Sequence, residues 1–192
     1  PGAAAVANDL ASLRGFAASA YHRGAESIYL FNWMDSQTRP VVESEYATLL
    51  REGLSKETVL GSPRRHPICF RDTVPAGFPN GAQLPADARQ GREFRIQIGP
   101  KPETSKVWAI AGLAGRDGLA EANLEARLND RELEAADDVA SLTEFGGGTA
   151  RAVRFACPLD AVQDGYNRLH IRQVAGSSAQ QIVWVEIRVE PR

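Results

Sequence analysis

Asn32, Trp33 and Asp35 place an amide, a planar indole and a carboxylate close together in the chain. Fixed hydrogen-bonding groups beside an apolar ring are of the types that can hold a polar ligand. None has a visible catalytic partner, so no catalytic residue is assigned. Asp137 and Asp138 invite a calcium reading, but adjacent carboxylates lack the alternating oxygen ligands of a calcium loop, and a solvated loop is expected there. Gly146–Gly148 lacks the following helix and lysine of a phosphate cradle and reads as a turn. Three histidines (His22, His66, His170) and two cysteines (Cys69, Cys157) show no metal-ligand spacing. The expected metal and cofactor complement is therefore none. The cysteines read as buried thiols behaving as small hydrophobes. His22 reads as the dipole-complementing end of a helix, His170 as an exposed strand position, and Trp108 and Trp184 as aromatics packed between sheets.

The frame that must position these residues is ordinary in size and composition. The chain has 192 residues, 43% of them apolar and 24% charged, with 22 basic and 24 acidic side chains and a net charge of -2. That is one domain, or one domain and a piece of another. There is no basic stripe of the kind a nucleic-acid platform needs. No apolar run has the length of a membrane helix. No charged segment followed by an apolar stretch marks a signal peptide, and the compartment stays open.

The periodicity changes near residue 62. Leu10, Leu13, Phe16, Ala17, Ala20 and Tyr21 fall at offsets of three and four and predict a helix, with Gly24 as its C-cap. Ile28 to Phe31 is a continuous apolar run, which suits a strand buried on both faces. Ser44 then reads as an N-cap before a second helical face at Tyr46, Leu49, Leu50 and Leu54, and Ser55 opens one more short turn. Beyond Gly61 the alternation becomes two-fold over Phe94–Ile98, Val107–Ile110, Leu124–Leu128, Ala152–Ala156, Arg168–Arg172 and Ile182–Val189. Ile68–Arg71 is a further candidate strand, and Asn129-Asp130 is a hairpin turn signal. The fold class expected is mostly β: an antiparallel, jelly-roll-like β-sandwich over residues 62–192 with an irregular lead-in, preceded over residues 1–61 by a small helix–strand–helix segment.

A lone strand between two helices cannot satisfy its own edges. It must pack on the sandwich, pair with a second copy, or find partners upstream in a longer protein. The stretch Arg23-Gly-Ala-Glu-Ser-Ile-Tyr-Leu-Phe-Asn-Trp33 resembles the eighth strand of a glycoside-hydrolase (β/α)8 barrel, with Glu26 and Ser27 where Asp and Gly are commoner. Glu45–Arg51 resembles the last barrel helix. The later phrases Leu124-x-x-x-Leu128-Asn129-Asp130-x-x-Leu133, Pro158-Leu159 and Gly165-Tyr-Asn167-Arg-Leu169-x-Ile171 are similar to the galactose-binding-like sandwiches appended to such barrels.

The resemblance implies that Trp33 stacks on a sugar face while Asn32 and Asp35 bond its hydroxyls, at the strand end where barrel sites lie. It also implies that this chain is inert alone. Glycoside hydrolysis usually uses two carboxylates about 5 to 10 Å apart, and in typical barrels these come from earlier strands. Glu26 would sit at the opposite barrel end, and Glu43 and Glu45 on the outside. The implied function is the C-terminal part of a glycoside hydrolase with an accessory sandwich, self-associating through the orphan strand. Its alternatives are a self-contained carbohydrate- or protein-binding module and a structural assembly domain.

Overall fold

The computed structural model describes residues 9–30, 43–68, 84–146 and 148–191. Among these residues three α-helices come first: α1 (Leu10–His22), α2 (Glu43–Glu52) and α3 (Lys56–Leu60). Nine strands follow: β1 (Arg64–Ile68), β2 (Ala86–Asp87), β3 (Arg92–Gln97), β4 (Ser105–Ala114), β5 (Asn123–Leu128), β6 (Arg131–Asp138), β7 (Thr149–Cys157), β8 (Tyr166–Ala175) and β9 (Gln181–Pro191). Every pairing is antiparallel. The chain is a mostly β protein of sandwich or barrel-like form, as the alternation predicts.

The order β1-β9-β4-β7-β6-β5-β8-β3 folds into two layers because β6 serves both. Its first residues, Arg131–Leu133, pair with β5. From Glu134 onward it pairs with β7, with a bulge between Ala135 and Asp137, which bends the strand and raises its twist as it joins the second layer. β2 continues the β1 side of β9. The core lies between the layers and includes Phe94, Ile96, Ala109, Leu128, Phe155, Leu169, Ile171 and Ile187. Complete burial of such side chains stabilises by about 1.5–3 kcal/mol each. The hairpin at Asn129-Asp130 forms as its composition demands, with φ of 49° and 70°.

Some expectations change. Ile28–Leu30 form no strand. Ile28 and Leu30 pack against the helical cluster while Tyr29 is 84% exposed, so the apolar run is buried on one side only. Ser44 lies inside the first turn of α2 rather than at its cap. Phe16 is 57% exposed. Asp137 and Asp138 close β6 instead of sitting in a loop; each is paired with an arginine of β7, Arg154 and Arg151 respectively.

Asp9 caps α1, its carboxylate accepting from Ser12 N–H at 2.6 Å. The helix then buries two faces. Leu10, Leu13 and Ala17 pack with Leu49, Leu54 and Val59. Gly15, Ala18 and Ser19, also at helical spacing, meet the two sheet edges. A Cβ on Gly15 would lie 1.8 Å from the Arg65 carbonyl oxygen of β1, and one on Gly99, just past β3, would lie 2.7 Å from that of Ala18. Thus α1 stoppers the side of the sandwich where β1 and β3 end the two layers. In β1, Pro67 offers no N–H, which blunts a strand edge against further pairing.

Candidate functional site

Asn32, Trp33 and Asp35 lie outside the described residues, as does Cys69. The most elaborate polar constellation among the described residues is elsewhere, on the outer face of the β1-β9-β4-β7 layer. In β9 the residues Val185, Ile187 and Val189 point into the core. Trp184, Glu186 and Arg188 therefore point away from it. Trp184 is thus not packed between the sheets. It lies in a second apolar cluster with Ile110, Ala152 and Phe145, its ring meeting Phe145 edge-on at 6.0 Å and 75°.

Glu186, fully buried, is the hub. Its Oε2 accepts from Arg65 Nη2 at 2.7 Å, Arg65 Nε at 3.1 Å and Trp184 Nε1 at 3.0 Å. Its Oε1 accepts from Arg188 Nε. Arg65 also pairs with Asp9 of the α1 cap and with Glu144 at 3.4 Å, and Arg188 reaches Glu144 at 2.7 Å. Phe145 lies under both guanidinium groups, 5.7 Å from Arg65 and 5.3 Å from Arg188. Burial works against the charge on Arg65, but Glu186, by charge and hydrogen bond, with Asp9 and Glu144, holds its pKa above the ordinary arginine value. Buried ions persist only when paired and hydrogen-bonded throughout. Each oxygen of the Glu186 carboxylate is engaged, which suits a clamp and not proton transfer.

Trp108 is likewise on the outer face, half-buried, with Nε1 donating to Glu190 at 2.9 Å and the Arg154 guanidinium 4.3 Å over its ring. That cation occupies one face where a sugar would stack. On the other layer, His170 stands partly exposed opposite Glu93 and Arg127, as its alternation predicts.

Two histidines hold α1 against the sheets. His22, the last residue of α1, meets Asp164 at 2.9 Å. That hydrogen bond, with Lys101 N–H at 2.8 Å, keeps the Asp164 carboxyl below its usual range. His66 is buried beneath α1, its Nδ1 3.5 Å from Ser19 Oγ, which also lies 3.0 Å from the Gly15 and Gln97 carbonyl oxygens. A serine–histidine contact suggests an activated nucleophile. Here burial first, and then the Arg64 charge, push the imidazole pKa down to about 3. The pair is sealed from solvent and the hydroxyl hydrogen is turned to carbonyl oxygens, so it secures the helix.

His66 sets a pH dependence. Unfolded, it binds a proton near its ordinary value of about 6.5; folded, it stays neutral down to about 3. Stability is complete above the unfolded value and falls with acid, by about 1.4 kcal/mol per pH unit in that window. Urea midpoints at pH 7 and 4.5 are expected to differ more in the wild type than in His66→Gln; equal differences would deny the histidine this role. Cys157 is buried, which raises its thiol pKa to about 12. It is expected to resist thiol reagents in the native protein and react only in denaturant, a contrast mass spectrometry resolves by peptide.

The described residues also form an open cleft of about 610 Å³ between the end of α1 and α3, lined by Tyr21, Glu26, Ser27, Ile28, Leu54 and Lys56 among others. Among the described residues no three His, Cys, Asp or Glu side chains converge as metal ligands, and no helix is long and apolar enough to cross a membrane. The clamp around Glu186 went unread in the sequence. Its trace there is the charges Glu186, Arg188 and Glu190, at alternate positions on the Trp184 side of β9. No protein-family model matches the chain, and neither does any curated protein.

Proposed function

We propose that this chain is the C-terminal accessory part of a glycoside-hydrolase-like protein, inert as a hydrolase alone, in which the sandwich buttresses the helical segment before it. The observation that supports a buttress is the fastening of α1 at its start, middle and end. Asp9 is tied to Arg65, Ser19 to Gln97, and His22 to Asp164. The links reach both layers, so the helical segment and the sandwich pack as a unit. The resemblance of residues 23–33 to a barrel strand supplies the enzyme class, and a carbohydrate held by Asn32, Trp33 and Asp35 is part of the same proposal. A second copy of the chain is the proposed partner, since Tyr29 and Leu50 are 84% and 69% exposed and exposed apolar surface favours association.

The deciding experiment pairs hydrolysis with binding. Nitrophenyl glycosides incubated with the chain are expected to release no nitrophenol above the buffer rate. Oligosaccharides are expected to change tryptophan fluorescence saturably in the wild type and not in Trp33→Ala. Turnover that a carboxylate variant removes would overturn the inert reading. An unresponsive wild type would remove the carbohydrate. Light scattering at two concentrations tests association: a dimer supports it, and a monomer at both sinks it.

A further inference from the structure

We infer that Arg64 and His66 form an internal site for a small inorganic anion of chloride size, in the seam between β1, α1 and α3. The two residues alternate along β1 on the side opposite Arg65, 2% and 5% exposed respectively. Arg64 and Arg65 are neighbours with contrary surroundings. Arg65 has three carboxylates. Among the described residues Arg64 has one protein bond, from Nη1 to the Leu60 carbonyl oxygen at the end of α3, 3.0 Å away. No carboxylate among the described residues lies within ion-pair distance of it.

Among the described residues two buried nitrogens here have no hydrogen-bond partner, Arg64 Nε and His66 Nε2. The Nε side of a guanidinium is one arm of the fork that ordinarily grips an anion. A buried donor without a partner carries a full desolvation cost, and a buried charge a larger one. Burial alone pulls the Arg64 pKa below its ordinary value, with no acid to lift it. A monovalent anion that accepts from Arg64 Nε and from the Nε2–H tautomer of the neutral His66 would satisfy both nitrogens and balance the guanidinium charge.

The test is thermal unfolding of the full chain at pH 7.5 and constant ionic strength, in sodium chloride and in sodium methanesulfonate, whose anion carries the same charge but is larger than the proposed occupant. A Tm higher in chloride by about 3 to 5 °C is expected, the size of a ligand at roughly ten times its Kd. Arg64→Gln is expected to erase that difference. Equal Tm values for the wild type in the two salts would overturn the site, as would an unchanged chloride effect in folded Arg64→Gln. If that variant does not fold, chloride-35 NMR of the wild type decides. Excess line width that bromide competes away supports the site, and the line width of buffer alone overturns it.

Discussion

Replacing Glu186 with alanine is expected to destabilise the protein by about 3–5 kcal/mol, the range for breaking one partner out of a buried ion cluster. Three donors lose their acceptor at once: the guanidinium groups of Arg65 and Arg188 and the indole N–H of Trp184. Asp9 and Glu144 stay paired with the cations, so the loss is bounded. Urea denaturation at neutral pH measures it. Because the pairs are buried, raising the salt should change the value little. An apolar set, Arg65→Met with Glu186→Leu and Arg188→Met, is expected to recover much of the stability, since a well-packed replacement avoids desolvating ions. A loss below about 1 kcal/mol in Glu186→Ala would mean that water reaches the cluster.

Gly15→Ala offers a test in which two simple expectations have opposite signs. On helix propensity alone alanine should stabilise α1 by about 1 kcal/mol. The packing says otherwise: the new methyl would stand 1.8 Å from the Arg65 carbonyl oxygen, on a strand that its pairing with β9 holds in place. The helix must lift from the edge, and a net loss of about 2–3 kcal/mol is expected. Hydrogen exchange should show faster opening of α1 amides than of β4 amides. The neighbouring Phe16→Ala, at a 57% exposed position, should stay within about 0.5 kcal/mol of the wild type. A more stable Gly15→Ala protein would show that α1 is not seated in the gap.

The strands legible in the sequence are those with strict alternation. Phe94–Ile98, Leu124–Leu128 and Ile182–Val189 fall within or overlap β3, β5 and β9, with ends displaced by a few residues, because pairing continues past the last inward apolar side chain. β6 escaped because Leu133 is its single buried residue; a strand that changes layers presents no constant face to one core. Ile28–Leu30 misled for the converse reason: a run of apolar residues records hydrophobicity and not how many sides are covered. The clamp was hidden because its members, Asp9, Arg65, Glu144, Glu186 and Arg188, converge only in the fold. The proposed sugar-binding residues, Asn32, Trp33 and Asp35, come from the resemblance to a barrel strand and lie outside the described residues.

The place of β9 has a consequence for how the chain reaches this structure. β9 is the last strand in sequence, yet it stands between β1 and β4 and hydrogen-bonds to both; Arg64 lies opposite Val189. Until β9 arrives, β1 has no neighbour in its layer among the described strands, and α1 sits against an edge that is not yet anchored. Long loops must therefore close before the contacts that reward them form. Folding should be slow for the size of the protein, as it is for other sheets dominated by distant pairings. A nascent chain would wait with Val107, Ala109 and Ala111 uncovered on one side, and a chaperone has the most to do in that interval.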